Sequence, residues 1–513
     1  MRNREIRAAL EYHEATKHSE RSLRENRHFL DFSNQPLPFK IYRDLEAIPL
    51  PRNLHERETP ALDAIAATGS RHFGESIPNL SVLSRVLFLS AGITKRRCYS
   101  GGEIFFRAYP NTGALYHVDL YLVTCDLPGL AAGVYHFGPN DFALRRLRAG
   151  DFRSVLLEAS GGNEDLARAP VIVVSASTYW RNAWKYQARA YRHCYWDGGT
   201  LHANLLAAAD TEGLEPRIVM GFAEPLVEAL LALDRRREGV LTLVPLGCCT
   251  KQPPAAPPVT KLRLEVEPLS REEVDCPTIR EMHEASKLAT AEEAHSWRAQ
   301  AMPTQSKESS RMEIISLQPA AGVKLPSASL DRVIMRRGST RAFDPTRSLS
   351  FEELVTVLDR ATRGLAADFL APGGSLLDLY VIVHAVEGLP SGSYAYHRRE
   401  RGLERLREGS FREAAARLGL FQELPAEAAV NVYSLAALPP ILKRFGNRGY
   451  CAAQLEGGVT GGRLYLAAYA QGFGATGLTF LDDEVTDFFS PHAASKSVLF
   501  LTALGHADRA RLG

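Results

Sequence analysis

Cysteine is scarce in this sequence, and the few cysteines present form no pattern. Seven occur in 513 residues, and no two of them make a Cys-x-x-Cys pair. A chain of this length buries a core large enough to fold without disulfides or metals. An odd, unpatterned set is typical of reduced thiols, so we expect a cytoplasmic protein.

An excess of one charge sign and a long apolar run are also lacking. The formal net charge is only +2, which predicts neither a nucleic-acid nor a membrane partner. No segment approaches the roughly 18 apolar residues of a membrane-spanning helix. Residues 1–26 are charged throughout, unlike a signal peptide. With 45% apolar and 23% charged residues, the chain has the composition of a soluble protein of two or more domains.

The common nucleotide and metal motifs are missing or misplaced. No Walker sequence is present, and the histidines of HEATKH (residues 13–18) are five apart instead of the four of a zinc helix. The stretch GFGATG (residues 472–477) has the spacing of a dinucleotide loop. It follows a predicted helix and precedes a predicted strand, the reverse of the order that a Rossmann fold needs.

What the sequence does contain is a copy of itself. YHEATKHS returns as MHEASKLA, VDLYLV as LDLYVI, RLRAGDF as RLREGSF, and VLTLVPLG as VLFLTALG. The offset is constant over the middle of the chain: 378 − 119 = 259 for the strand aspartates, and 456 − 197 = 259 for the acids of DGG and EGG. Several matches in one register indicate a tandem of two related domains.

We therefore predict a first domain at residues 1–250, a linker at 251–278 and a second domain at 279–513. The linker begins with the proline-rich KQPPAAPPVTK, typical of a stiff spacer. A polar stretch at residues 303–311 is predicted to be a mobile loop.

Each copy has the same predicted order of elements. A helix comes first (residues 80–92 or 350–364), then β-rich segments, then a long alanine- and leucine-rich helix (201–213 or 463–472), and finally an apolar strand. The predicted class is α+β, with helices packed on a mostly antiparallel sheet.

Three stretches carry candidate chemistry. The first is RRGSTRAFD, in which Arg337, Ser339 and Arg341 alternate. On an extended backbone, alternation places the three side chains on one side, where they could clamp a phosphate. A solvated basic segment is the alternative.

The second stretch is RAYPNTGALYHVDLYLV, residues 107–123. Its Pro-Asn-Thr-Gly turn leads into a strand, and small turn residues can approach a flat heterocycle closely, with Asn111 hydrogen-bonding the edge. The alternative is an ordinary turn before a strand.

The third stretch is WKYQARAYR, residues 184–192. Lys185 and Tyr186 lie just before a predicted helix, among aromatic residues. A lysine that is partly desolvated there would have a lowered pKa and could act as a base. An amphipathic helix with a snorkelling lysine is the alternative.

Together the three stretches resemble the FMN-dependent nitroreductase superfamily, and within it the azoline-oxidising SagB and ThcOx type dehydrogenases of ribosomal-peptide pathways. STRAFD resembles the superfamily's phosphate motif, RAYPNTGALY the flavin-facing turn of that branch, and KYQARAYR its Lys-Tyr motif. The resemblance covers nearly the whole chain, once per domain, and implies a dimer-like arrangement with FMN at the interface, here formed within one chain.

The resemblance also implies the roles of individual residues. Lys185 is the base or activates it, and Tyr186 donates or relays a proton. The implied FMN-binding residues are Arg337, Ser339 and Arg341 with the weaker candidate Lys496 at the phosphate, Arg107, Pro110, Asn111, Thr112 and Gly113 at the turn, and Gly474, Ala475, Thr476 and Gly477 against the isoalloxazine.

The repeat register indicates that each copy keeps only half of this site. Adding 259 to Pro110 gives Phe369, and adding it to Tyr186 gives Phe445, so the second copy has lost the turn and the Lys-Tyr pair. The first copy's counterpart of the clamp, TGSRHF (residues 68–73), lacks the leading arginine. We therefore expect one FMN per chain, between the domains, with the second pseudo-symmetric site empty.

The resemblance implies oxidation of a small or peptide-borne azoline to an azole. Two alternatives stay open at this point. One is a reductase that uses NAD(P)H to reduce nitro, quinone or ene acceptors, and the other is a non-catalytic partner subunit of a biosynthetic complex. The expected partners are a small-molecule or modified-peptide substrate and other enzymes of a biosynthetic pathway.

Overall fold

The computed structural model of the chain describes residues 2–67, 74–99, 102–303, 314–318, 324–508 and 510–512. Two main sheets of antiparallel strands, each flanked by helices, form two units that follow one another along the chain. This confirms the predicted α+β class.

The first unit contains nine helices and eight strands in its described part. They are α1 (Arg7–Ala15), α2 (Glu20–Glu25), β1 (Ala47–Pro49), α3 (Ala61–Ala66), α4 (Leu80–Ala91), β2 (Ile93–Tyr99), β3 (Gly102–Arg107), β4 (Val118–Thr124), β5 (Gly133–Gly138), β6 (Ala143–Ala149), α5 (Arg153–Ala159), α6 (Glu164–Arg168), β7 (Val171–Thr178), α7 (Tyr179–Tyr186), α8 (Ala190–Asp210), α9 (Glu224–Leu231) and β8 (Glu238–Leu246).

The described part of the second unit contains nine helices and seven strands. They are α10 (Pro277–Ser286), α11 (Ala291–Arg298), β9 (Ile314–Ser316), α12 (Leu330–Arg336), α13 (Phe351–Thr362), β10 (Asp378–Val383), β11 (Gly392–His397), β12 (Gly402–Glu408), α14 (Arg412–Leu418), α15 (Glu423–Glu427), β13 (Val430–Ala436), α16 (Leu438–Phe445), α17 (Asn447–Ala470), β14 (Gly474–Leu478), α18 (Asp482–Phe489) and β15 (Ser497–Gly505).

The two sheets have the same topology. The first has the order β1-β6-β5-β4-β7-β8, and the second has β9-β12-β11-β10-β13-β15 with β14 added beyond β15. The hairpin β2–β3 forms a separate two-stranded sheet in the first unit, and β3 ends at Arg107, where the candidate turn begins. The repeat seen in the sequence is therefore a repeat of the fold.

Local sequence explains where the predicted first helices begin. Asn79 caps α4 by accepting the Val82 N–H, and Ser350 forms a capping box with Glu353 at the start of α13. The predicted ends, at residues 92 and 364, lie within two residues of the observed ends.

The two long helices begin much earlier than the sequence predicted, at residue 190 instead of 201 and at residue 447 instead of 463. The prediction was wrong because the glycine pairs of DGG and EGG resemble helix breakers. In the structure these glycines lie where the two helices cross. A Cβ on Gly199 would lie 2.5 Å from the Leu455 carbonyl oxygen, so only glycine permits this approach.

The N-terminal helix of each unit packs on the other unit. In α1, the Ala9 N–H donates to Asn447 of the second unit over 3.1 Å. In α10, His283 Nδ1 lies 3.2 Å from the Tyr191 hydroxyl of the first unit. One buried apolar cluster includes residues of both units, so the two share a core.

Two buried ion pairs join the units at equivalent positions. Arg189 of the first unit contacts Asp482 over 3.0 Å, and Arg448 of the second unit contacts Glu224. The offsets are 448 − 189 = 259 and 482 − 224 = 258, so the two contacts are related by the repeat. Each acid is the first residue of a short helix, where the helix dipole favours negative charge.

We expect the ion pair of Arg189 and Asp482 to make the stability of the fold depend on pH in the acid range. Burial raises the pKa of Asp482, but Arg189, Arg192 and the His18 N–H outweigh burial and lower it from 3.8 to about 2. The folded pKa is depressed, so this contribution is present above about pH 4 and is lost as the pH falls towards 2. Urea unfolding between pH 5 and pH 2 should show a loss of about 2 kcal/mol from this group.

The Asp482→Asn variant is the control, since it cannot titrate at this position. It should be less stable than the wild type at pH 5, and the difference in the free energy of unfolding should become smaller towards pH 2. A constant gap over this range would contradict the assignment.

The remaining sequence expectations concern the linker and the surface. Residues 251–276 contain no helix or main strand and lie along the first unit, where the Thr260 carbonyl accepts from Arg148 over 2.7 Å. The predicted loop at 303–311 lies almost wholly outside the described residues, as does the segment 68–73.

No described helix is long and apolar enough to span a membrane.

Candidate functional site

The clamp stretch follows α12 and crosses the end of the second sheet. The Thr340 N–H donates to the Ala475 carbonyl over 3.0 Å, and Phe343 pairs with Ala507 just after β15. Phe343 is fully buried and anchors the stretch in the core. The stretch is therefore held on both sides by the backbone of its own unit.

Arg337 extends from this stretch into the other unit. Its guanidinium donates to the carbonyls of Arg107 and Ala108 over 3.0 and 3.2 Å, directly before the Pro-Asn-Thr-Gly turn. Ser339 lies 3.3 Å from the hydroxyl of Tyr465, and Arg337 lies over that tyrosine ring. Two stretches about 230 residues apart in sequence are thus adjacent in space.

The turn itself is held by side chains of the first unit. Asn111 Oδ1 accepts the Tyr116 N–H over 2.8 Å, and the Pro110 carbonyl accepts from Thr200 over 2.6 Å. Gly113 has φ +66°, a left-handed conformation that favours glycine. These contacts fix the backbone and leave Asn111 Nδ2 for a further partner.

Thr112 is bound by Asp197, an acid that the sequence alone marks only as part of the repeat. Asp197 Oδ1 accepts both the Thr112 N–H (3.0 Å) and its hydroxyl (2.8 Å). Asp197 Oδ2 lies 2.8 Å from His117 Nε2, and His117 Nδ1 lies 2.8 Å from the Ser177 hydroxyl. His117 is fully buried, so this chain of contacts orients Asp197 beneath the turn.

The repeat in the sequence could have indicated that Asp197 anchors the turn. The equivalent acid of the second unit, Glu456, accepts the Leu376 N–H over 2.8 Å and the Ser375 hydroxyl over 2.6 Å. Both acids therefore bind the segment that precedes the central strand of their own unit. An acid kept in register in two otherwise divergent copies indicates an anchor for that segment.

Lys185 and Tyr186 end helix α7 and lie just before the long helix α8, which begins at Ala190. Tyr186 packs on the turn, since a Cβ on Gly113 would lie 2.9 Å from its hydroxyl oxygen. Its ring also meets His193 edge to face, with centroids 4.7 Å apart. Lys185 is exposed and therefore not partly desolvated as predicted, and its ammonium lies 5.4 Å from the centroid of the Tyr186 ring.

The charges around Tyr186 determine its protonation state. Burial raises its pKa to about 12, and the Asp197 carboxylate adds to the rise while the Arg341 charge opposes it. Tyr186 is therefore a neutral hydroxyl at physiological pH and can donate a proton. The opposing effect of Arg341 also places the third residue of the clamp near the Lys-Tyr motif of the other unit.

The Gly474–Gly477 segment forms most of β14 and lies against the clamp. A Cβ on Gly474 would overlap the Thr340 hydroxyl, so glycine is needed for the close approach. The Gly477 N–H donates to the Tyr465 hydroxyl, and Gly477 is exposed. A Cβ there would have no neighbour nearer than 3.6 Å, which leaves an open surface beside this glycine.

Two predicted site residues do not join this group. Lys496 precedes β15, whereas the clamp meets the opposite end of that nine-residue strand, so the two lie roughly 25 Å apart. Its ammonium contacts Asp378 over 2.9 Å. The Arg107 side chain is 1% exposed and donates to the Pro38 carbonyl, so it supports the turn from within.

The residues present fit an FMN. Arg337, Ser339 and Arg341 supply cationic and hydroxyl donors for a phosphate. In the described part of the chain, the buried polar atoms near the turn and the clamp without a protein partner include Asn111 Nδ2 and Thr340 Oγ1. Buried polar atoms in folded proteins are nearly always hydrogen-bonded, so Asn111 Nδ2 and Thr340 Oγ1 are suited to bind a ligand atom or water.

The second pseudo-symmetric position is filled by the protein itself. Trp297 of α11, 1% exposed, packs against Phe369 and Phe445, with ring centroids 6.4 and 5.2 Å away. Ile218, the equivalent of Gly477 (477 − 259 = 218), forms a backbone bridge with Ala367 of the second unit. Aromatic rings and backbone thus lie where the first site is open, so they occupy the position where a second flavin would bind.

Comparisons with known proteins agree with this architecture. Residues 334–506 match the Nitroreductase family. The crystal structure of a protein from Anabaena variabilis, described as a nitroreductase, superposes with a TM-score of 0.78 and 26% identity, covering 98% of this chain and 99% of that one. The two-unit arrangement is therefore shared along the whole length of both chains.

Curated relatives also match parts of the chain. A protein of Methanocaldococcus jannaschii named as a nitroreductase is 27% identical over 177 residues, which are 34% of this chain and 84% of that protein. The microcin B17-processing protein McbC of Escherichia coli is 30% identical over 135 residues, 25% of this chain and half of McbC. Residues 334–506 thus form a nitroreductase family domain, within a chain that consists of two nitroreductase-like units.

Proposed function

We propose that the chain is an FMN-dependent oxidoreductase of the SagB and ThcOx type, which oxidises a peptide-borne azoline to an azole. The observation that carries the proposal is the contact of Arg337 with the carbonyls of Arg107 and Ala108, which joins a phosphate clamp and a flavin-facing turn from opposite units. The similarity to McbC, a protein named for processing microcin B17, supports a modified-peptide substrate.

The second unit would hold the phosphate and the first unit the ring. Arg341 is exposed and can turn towards a phosphate, whereas Arg337 and Ser339 are already partly buried beside Tyr465. Asn111 Nδ2 would donate to a carbonyl oxygen at the edge of the isoalloxazine. Such edge and phosphate contacts would hold the cofactor between the turn and β14.

FMN, when bound, would supply the two-electron oxidant for the azoline, with dioxygen as the final electron acceptor. The chain's own residues handle the proton that leaves the neighbouring carbon. Lys185, exposed beside the turn, is the proposed acceptor of that proton or the group that activates the acceptor. Tyr186, neutral at physiological pH, would donate a hydrogen bond or relay the proton.

We expect one FMN per chain in the purified protein. The open position has donors from both units, whereas Trp297, Phe369 and Phe445 occupy the second position. Flavin released by denaturation and measured by absorbance against protein concentration gives the ratio. Two flavins per chain would contradict the filled second site.

Anaerobic mixing tests the direction of electron flow. The FMN-loaded chain is mixed in a stopped-flow instrument with a thiazoline-containing peptide or with NADPH. We expect the peptide to bleach the flavin absorbance and to lose two hydrogen atoms by mass spectrometry, and NADPH alone to have little effect. Rapid bleaching by NADPH alone would favour a nitro, quinone or ene reductase, in line with the name of the Methanocaldococcus relative.

A purified chain that shows no bound flavin after FMN is added would favour the alternative of a non-catalytic partner subunit.

The location of the protein is also part of the proposal. All seven cysteines are free, which fits the reducing cytoplasm, where other enzymes of a biosynthetic pathway would supply its substrate.

A further inference from the structure

Two histidines and a glutamate converge in the second unit, away from the clamp. His397 ends β11 and Glu404 lies on the neighbouring strand β12, where it pairs with Ala395, two residues before His397. Residues two apart on a strand share a face, so the two side chains lie side by side. His492 comes from the segment between α18 and β15.

The distances suit a single small cation. His397 Nε2 lies 2.7 Å from Glu404 Oε2, and His492 Nε2 lies 3.8 Å from the same oxygen. One ligand atom from each residue lies within 4.8 Å of the others. Ligands of a tetrahedral zinc ion are roughly 3.3–3.5 Å apart, so shifts of about 1 Å or less would complete the geometry.

A tyrosine behind His492 favours the required tautomer. The Tyr380 hydroxyl lies 2.9 Å from His492 Nδ1, and it also contacts the His492 carbonyl oxygen over 3.2 Å. Lys496 donates to the same hydroxyl over 2.9 Å. A Tyr380 oxygen that accepts from Nδ1–H leaves the Nε2 lone pair pointing towards Glu404, as a metal ligand needs.

The surroundings leave a fourth coordination position. His397 and His492 border a pocket that is also lined by Tyr380, Asp378 and Lys496. The side chains of His397 and Glu404 are each 9% exposed and that of His492 is 28% exposed, so one side opens to the pocket. Lys496 is paired with Asp378, which compensates its charge beside an incoming cation.

We propose that His397, Glu404 and His492 form a binding site for one Zn²⁺ ion, with water or a pocket ligand in the fourth position. Two imidazoles and one carboxylate are a ligand set that zinc uses when a coordination position stays open. His397 would carry its remaining proton on Nδ1, and its Nε2 would bind the metal. This site does not depend on the proposed flavin chemistry.

Zinc uptake by the tag-free, full-length chain tests the proposal. After chelator treatment and its removal, the chain is titrated with zinc sulfate in a calorimeter, and bound zinc is measured by mass spectrometry of the metal. We expect one zinc per chain, lost in Glu404→Gln and in His492→Ala. Tyr380→Phe should weaken binding by about 10- to 100-fold.

The matched control is His55→Ala, which removes an exposed histidine from the first unit and should bind zinc like the wild type. The melting temperature and FMN content of each variant show whether it folds. A wild-type chain that takes up no zinc overturns the proposal, and so do folded Glu404→Gln and His492→Ala chains that keep it. Neither result would alter the flavin stoichiometry on which the proposed function rests.

Discussion

Alanine in place of Arg341 is expected to raise the dissociation constant for FMN by about 10- to 100-fold. A charge-assisted hydrogen bond to phosphate is worth about 1.5–3 kcal/mol, and 1.4 kcal/mol corresponds to a factor of ten. Arg341 is exposed, so its loss should leave the fold intact. Titration of the apoprotein with FMN, followed by quenching of flavin fluorescence, measures the change.

The control for this experiment is Arg332→Ala. Arg332 lies on the preceding helix α12, its side chain is 75% exposed, and it pairs with Glu56 over 2.7 Å. The Arg332→Ala variant removes the same charge from the same region and leaves the residues of the clamp unchanged. Equal affinities of wild type and Arg341→Ala would show that the phosphate binds elsewhere.

Phenylalanine in place of Tyr186 is expected to lower kcat by about 10²-fold or more. The variant loses the hydroxyl that we propose to donate or relay a proton, and general acid–base catalysis contributes about 10²–10⁴-fold. The ring stays against Gly113 and His193, so FMN content and KM should change little. Oxidation of the thiazoline peptide, followed by chromatography of the azole product, gives the rates.

The pH profile separates a proton donor from a packing residue. Because the pKa of Tyr186 is raised to about 12, its hydroxyl should stay protonated up to about pH 11, and it should cause no loss of activity between pH 7 and 10. Tyr135→Phe is the matched control, since its hydroxyl binds the Ala131 carbonyl away from the turn. An unchanged kcat in Tyr186→Phe would leave Lys185 as the sole candidate for proton handling.

Much of the fold was predictable because repeats and periodicity are properties of the sequence itself. The α+β class and the order of elements in each copy follow from apolar patterns that recur at one offset. The starts of α4 and α13 were predictable for a local reason, the capping residues Asn79 and Ser350.

The predictions that failed depend on contacts between distant segments. The glycines of DGG and EGG resemble helix breakers until two helices cross at them, as Gly199 and Leu455 show. Lys496 was a weaker candidate for the phosphate site, but the length of β15 separates it from the clamp. Strand direction and length decide which end of a sheet a residue reaches, and sequence position alone does not.

Some features of the candidate site also follow from the sequence, and others follow only from the tertiary structure. The sequence by itself determined that the chain is a tandem, that the clamp survives in one copy and that the turn survives in the other, because internal comparison needs no coordinates. Only the tertiary structure decided that Arg337 binds the Ala108 carbonyl, that Asp197 holds Thr112, and that Trp297 fills the second position. These contacts join side chains with backbone or rings far apart in sequence, so they exist only once the chain has folded and its core is packed. The contact of Arg337 also requires the two units to pack against each other.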